Sequence, residues 1–392
     1  MKVKIGNVFK GERRIWWIFV IFSLISLVAV YSSIGWTSIK RHHSPTFDLI
    51  THAVYVILSY IAIILVANTN RKWITKAVPF VYILSFILAL FACLQGTRWL
   101  NIVGISFQPS ELAKIAVVLM TARLLSMYPD RKDDKKFFWI LLGTIGLLAV
   151  LILPQNFSSA LLVGILGMTV MFYGGMNLRR CLLFCASIAG VGVLVLGIAY
   201  GRYKASVNVS DSSTVDIEGV SEVKVLPRLI TWGHRIDSRF HPNYDELSQE
   251  NIARMAIAQG GIVRLGIGSN VHSRLMTQAH NDFIYAIIIE ETGMVGGLVI
   301  FLLYCWFYFC CLKVAVRCQD TFGSMIVFGL GSLIYFQALI HMMVVLGVGP
   351  TTGQNLPLIS SGGSAYLMMA LAVGIIQSIA SDNKIKAAKE SN

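Results

Sequence analysis

The sequence predicts an all-α integral membrane protein of about ten transmembrane helices, with a large extracytoplasmic loop between the seventh and eighth. Three observations lead there. Hydrophobic residues make up 56% of the 392 and charged residues 14%, whereas a soluble domain carries about 25% charged. Apolar runs of the roughly 17 to 25 residues that span a bilayer recur along the whole chain. Basic residues gather in every second connection, the pattern that keeps such loops on the cytoplasmic side.

In order, the runs fall near 15–36, 49–68, 77–94, 111–127, 137–153, 158–175, 181–200, 283–316, 323–347 and 361–381. Lys2, Lys4, Lys10, Arg13 and Arg14 precede the first, and Trp16, Trp17 and Trp36 flank it as the interface anchors of a retained helix rather than a cleaved leader. Arg71, Lys72 and Lys76 follow the second run; Arg131, Lys132, Lys135 and Lys136 follow the fourth. Arg179 and Arg180 follow the sixth, Lys313 and Arg317 the eighth, and Lys384, Lys386 and Lys389 the last. Both termini are therefore expected in the cytoplasm. The fifth and sixth runs are short, and the eighth is long enough to be broken or tilted. The chain reads as one transmembrane domain, 1–392, with 201–281 as its outer loop.

The net charge of +13 sits mostly in these topogenic loops, which argues against a nucleic-acid partner. None of the seven cysteines falls in the outer loop, which argues against disulfides and a thiolate metal site.

Three outer connections carry unusual chemistry. "LQGTRWLNIVGISFQPSELAK" (94–114) ends in a helix start, with Pro109 in the first turn, Ser110 able to cap and Glu111 at the positive helix end. Lys114 falls one turn beyond Glu111. The pair reads either as a surface ion pair on a capped helix or as charge facing a polar cavity, since Lys inside "KIAVVLM" is costly in lipid. In the long outer segment, "ASVNVSDSSTVDIEGVSEVK" is polar, rich in small residues and expected to be mobile. "NYDELSQENIARMAIAQGGIVRLGIGS" predicts a short amphipathic helix presenting Ile252, Met255, Ala256 and Gln259 on one face and ending at Gly260-Gly261. Gly266 and Gly268 then suit a tight turn better than a phosphate cradle, because no strand precedes them. "GVGPTTGQNLPLISSGGSA" (347–365) carries Pro350 and Pro357 with several glycines; irregular backbone of this kind must line a cavity rather than face lipid. A second Pro-interrupted stretch, "ILPQNFSSA" (152–160), raises the broken-helix pairs of transporters.

The remaining feature is "TQAHNDFIYAIIIEETG" (277–293), which places Asp282, Glu290 and Glu291 in a run that otherwise reads as membrane helix. Asp282 or Asn281 suits an N-cap. Glu290 lies about 12 Å of helical rise beyond Asp282, outside the roughly 5 to 9.5 Å of glycosidase carboxylate pairs. At 100° per residue Glu290 points within about 80° of Asp282 and Glu291 points away. The two glutamates are expected to brace a break announced by Gly293, Gly296 and Gly297.

"QPSELAK" (Gln108–Lys114), "HNDFIYAIIIEETG" (His280–Gly293) and "PTTGQNLPLISSGGS" (Pro350–Ser364) resemble, in the right order, the three signature blocks of the SEDS family (FtsW/RodA/SpoVE) of peptidoglycan glycosyltransferases. The N-terminal "FKGERRIWWIFVIFSLISLVAVYSS" (Phe9–Ser33) resembles the cell-division branch as found in Bacteroidetes-like bacteria. The chain departs from the family pattern at Met276-Thr277-Gln278, Asn281, Arg264, Gln155-Asn156 and His341, while keeping Asp282, Glu290, Glu291 and Lys114.

The resemblance implies polymerisation of lipid II at the outer face of the inner membrane, an inverting glycosyl transfer that expels a polyprenyl diphosphate. It makes Asp282 the expected general base. Arg98 and Lys114 are the first candidates for the diphosphate, with Arg235 and Arg274 behind them; Arg98 beside Trp99 also reads as an interface anchor. Glu111, His280, Glu290, Ser360, Gly362 and Gly363 complete the candidate substrate-binding set, although a lone His at a helix start is commonly a hydrogen-bonded structural group. A divalent cation, magnesium or manganese, held by Asp282 and diphosphate oxygens fits this chemistry; no organic cofactor is called for. The implied partners are the lipid II substrate with its growing glycan strand, a class B penicillin-binding protein transpeptidase, and other divisome or elongasome membrane proteins. Two rival readings stand beside it: a lipid II flippase that forms no bond, for which intramembrane charges and broken helices argue, and a scaffold whose carboxylates are structural.

Overall fold

The computed structural model describes residues 9–40, 45–102, 105–132, 134–210, 237, 249–268, 271–272, 275–276, 280–348 and 353–390. Helices α1 (Arg13–Lys40), α2 (Pro45–Ala67) and α3 (Arg71–Gln95) lead to a two-stranded antiparallel hairpin, β1 (Leu100–Ile102) and β2 (Ile105–Phe107). Then come α4 (Pro109–Met127), α5 (Lys135–Ile152), α6 (Phe157–Tyr173), α7 (Leu178–Ser210) and α8 (Gln249–Gly260). The chain closes with α9 (Ile284–Val316), α10 (Thr321–Val345) and α11 (Gly363–Glu390).

Every apolar run named above is helical. Eight of the helices, α1, α2, α3, α5, α7, α9, α10 and α11, are long and apolar enough to cross a membrane. The apolar α6 is shorter, and α4, with Glu111, Lys114 and Arg123, stands outside that set. The helix ends follow local chemistry. Asn70, Asp134, Asn156 and Asp320 each accept a backbone N–H as N-caps of α3, α5, α6 and α10. Pro109 opens α4, and Gly96 closes α3 in the left-handed region at φ 64°.

Burial separates an inner set of helices from an outer one. About 70% of the apolar window of α10 and α11 is enclosed by protein (67% and 72%), against 22% for α2 and α3. On the outer helices large apolar side chains such as Leu65, Phe80 and Val193 are exposed, a surface that only lipid makes favourable. This is a multi-pass membrane protein.

Two expectations change. The stretch 152–160 is a connection between two whole helices, with Asn156 capping α6, rather than a pair of half-helices. Helix α8 forms as predicted, yet its buried face is Ile252, Ala253, Ala256 and Gly260, with Met255 and Gln259 outside. Close approach decides this: a Cβ on Gly260 would meet the Ile289 carbonyl oxygen at 2.1 Å, so the small residues must face α9. Helix α7 runs on to Ser210, and the rest of the segment expected to be mobile lies outside the described residues.

Candidate active site

Helix α9 begins at Ile284 with Phe283 in the cap position and no side-chain cap, so Asn281 and Asp282 sit just before it. Their turn is held by the irregular segment 353–362 between α10 and α11. Ser361 N–H donates to His280 O at 3.2 Å, and the Ser360 hydroxyl donates to Asn281 O at 2.9 Å. Ser360 also accepts Leu356 N–H at 2.8 Å, Ser26 donates to Ile359 O at 2.7 Å, and the Tyr304 hydroxyl donates to Pro357 O. Non-helical backbone inside the bundle is thereby satisfied by named partners, as burial requires. Leu358, fully enclosed, is held at φ 61°, a strained state for a leucine that only such bonding sustains.

Arg98 arrives from the other side, out of the turn that Gly96 makes after α3. It donates from Nη2 to Gly353 O at 3.3 Å. A Cβ on Gly353 would stand 3.1 Å and 3.3 Å from Arg98 Nη2 and Nη1 and 3.5 Å from Asp282 Oδ2. The guanidinium and the carboxylate therefore converge on one α-carbon, which also has φ +59°. Both charged side chains are only partly buried. An acid able to take a proton thus stands beside a fixed cation at the rim of the bundle. Among the described residues no group of three or more His, Cys, Asp or Glu side chains could hold a metal ion.

Lys114 is placed differently. Its side chain is 0% exposed, and Nζ donates to Glu111 Oε1 at 2.7 Å, Gln337 Oε1 at 2.5 Å and Gln354 Oε1 at 3.5 Å. Gln354 in turn donates to Ser159 Oγ at 2.7 Å and Asn156 Oδ1 at 3.4 Å, and its carbonyl accepts His341 Nδ1 at 2.7 Å. The Glu111–Lys114 pair exists, but it is enclosed rather than on the surface, and it ties α4, α6 and α10 to the start of the 353–362 segment. Lys114 and Glu111 are enclosed and engaged with each other, an arrangement that favours a brace over a contact with the diphosphate.

Glu290 and Glu291 close over the break in α9, where Gly293 leaves helical geometry at φ 74° and ψ 177°. Glu290, 0% exposed, accepts Val271 N–H at 2.9 Å, His272 N–H at 3.3 Å and pairs with His272 Nδ1 at 2.9 Å. Glu291 accepts Gly268 N–H at 3.0 Å and the Ser32 hydroxyl. These bonds suit the bracing role expected from the sequence, and the enclosure of Glu290 favours that role over contact with a substrate. Gly266 and Gly268 form the expected turn.

Of the other candidates, His280 is buried beside Ser361. Ser360 is the hinge of the third block. Gly362 and Gly363 are sites of close approach, where a Cβ would meet Asn355 Nδ2 at 2.3 Å and the Tyr55 ring at 2.6 Å. Arg235 and Arg274 lie outside the described residues. The sequence reading missed Gly353 as the meeting point of Arg98 and Asp282, and Gln337 and Gln354 as the partners of Lys114. A glutamine within the apolar α10 was the available signal for Gln337.

A family model described as a cell cycle protein, FTSW_RODA_SPOVE, matches residues 12–385. The chain belongs to the FtsW/RodA/SpoVE family. It is 29% identical over 382 residues to a probable peptidoglycan glycosyltransferase FtsW of Geobacter metallireducens, covering 93% of each chain. It is 30% identical over 397 residues to a protein of the same name from Dichelobacter nodosus, covering 96% of this chain and 90% of that one. Among solved structures, a chain of a peptidoglycan synthase complex that coordinates polymerization and crosslinking superposes with a TM-score of 0.70 at 20% identity, covering 95% of this chain and 98% of that one. The rod shape determining protein RodA of Thermus thermophilus gives 0.66 at 18%, covering 96% and 99%. The FtsW/RodA/SpoVE fold thus extends over essentially the whole chain.

Proposed function

We propose that the protein is a peptidoglycan glycosyltransferase that polymerises lipid II, with the Asp282 end of the bundle facing outward from the bacterial inner membrane and both termini in the cytoplasm. The observation that carries the reading is the convergence of Asp282 and Arg98 on Gly353, within a segment of the third signature block that is bonded to the other two. Asp282 accepts the proton of the acceptor sugar's 4-hydroxyl as that oxygen bonds to the donor's anomeric carbon. The bond from that carbon to the diphosphate breaks and its electron pair leaves with the polyprenyl diphosphate, inverting the anomeric centre. Arg98 offers two parallel N–H donors and a permanent charge to the departing diphosphate. Asp282 is open enough to pass its proton to water. A divalent cation joining this site would be held by Asp282 together with diphosphate oxygens, because the described residues offer no cluster of their own.

The flippase reading drew on intramembrane charges, and Lys114, Glu111, Glu290 and Glu291 are all engaged by protein partners. The names of the relatives favour the division branch, and the synthase-complex neighbour favours a class B transpeptidase as partner. The test supplies lipid II to the full chain and its transpeptidase in liposomes, reading glycan polymer on a gel and labelled lipid II on each side of the bilayer. Polymer is expected. Movement of lipid II without polymer would replace the enzyme with a transporter.

A further inference from the structure

Segment 261–268 leaves α8 and crosses the break in α9. Its backbone is tied to that break: Met294 N–H donates to Gly261 O at 3.0 Å, Val295 N–H to Ile262 O at 3.2 Å, and Gly266 N–H to Glu291 O at 3.0 Å. With these polar groups turned inward, its apolar side chains stand outward. Ile262 is 76% exposed, Val263 70%, Leu265 93% and Ile267 65%. Four such neighbours on one short loop form a ridge that water would penalise.

The ridge's height in the membrane follows from α9. Lys313 marks the basic end of that helix, and about 20 residues back, or 30 Å at 1.5 Å each, is the thickness of a bilayer's hydrocarbon core. That count ends at Gly293, the residue the ridge crosses. Directly below, Met294 and Val295 are half exposed on the lipid side of α9, so ridge and helix present one continuous apolar face. Arg264, in the middle of the ridge, is only partly exposed and donates from Nη1 back to Gln259 O of α8 at 3.4 Å, so the ridge's one charge is tied to the helix end while its four apolar side chains stand outward.

We propose that Ile262–Ile267 is a membrane-seated ridge, embedded in the acyl region of the leaflet on the Asp282 side. It anchors the long connection between α7 and α9 to lipid and holds that connection against the break in α9. The inference needs the chain to be in a bilayer and is independent of what reaction Asp282 serves.

The test places an environment-sensitive fluorophore at Leu265→Cys in the full chain in phospholipid nanodiscs, with the unsubstituted protein labelled in parallel as background. Lys72→Cys, exposed in the first turn of α3, serves as the water-facing control. Lipid carrying a doxyl quencher should quench position 265 severalfold more than aqueous iodide does, and Lys72→Cys should show the reverse. Ile267→Cys should repeat the result if the first variant labels poorly. Dominant iodide quenching at both ridge positions would overturn the proposal. Protection that arises only on adding the transpeptidase would assign the ridge to a protein partner, and protection only on adding lipid II would assign it to the substrate's chain; either result replaces bulk lipid as the occupant.

Discussion

Lys114 and Arg98 both reach the segment between α10 and α11, one from inside the bundle and one from its rim. Lys114 has no exposed surface and spends its three donors on Glu111, Gln337 and Gln354. Arg98 is partly open and shares the α-carbon of Gly353 with Asp282. The difference separates two jobs that the sequence blurs, because both are basic residues next to signature motifs. A cation enclosed with a full set of partners fixes backbone; a cation left at the edge beside an acid remains available to a ligand.

The strongest way to break this division is Lys114→Met, which strands a buried Glu111. A loss of about 3 to 5 kcal/mol is expected, read as a large fall in thermal unfolding temperature in detergent. Adding Glu111→Gln to that variant should recover part of the loss, and no recovery would mean that Lys114 acts through something other than the pair. Gly353→Ala comes next. Its left-handed backbone strains an alanine by about 1 to 2 kcal/mol, while the new methyl pushes on Arg98 and Asp282 together. Polymerisation should fall by on the order of a hundredfold, far beyond what the modest change in melting explains; parallel losses would make Gly353 purely structural. His272→Ala is the smallest. Removing one of three hydrogen bonds to Glu290 should cost about 1 kcal/mol, visible as faster amide exchange at Val271 with little change in global melting.

Much of the bundle was legible because lipid enforces long apolar runs and confines charge to their ends. The break at Gly293 was legible as well, since a glycine cluster followed two carboxylates within one helix. The enclosure of Lys114 was not. Its partners Gln337 and Gln354 lie more than two hundred residues away in sequence, and only packing brings them to α4. The inward face of α8 was misjudged for a related reason: hydrophobicity favoured Met255, but the close approach of Gly260 to Ile289 admits only small side chains there. The meeting of Arg98 with Asp282 at Gly353 joins three separate connections, and no local periodicity encodes it.

The most direct measurement compares wild type with Asp282→Asn, each purified with its transpeptidase, for melting temperature and for glycan polymer formed from lipid II. Loss of the base should lower polymerisation by about 10² to 10⁴-fold while the variant melts like wild type and keeps its partner. Equal polymer from both proteins would contradict the assignment of Asp282 to the chemistry.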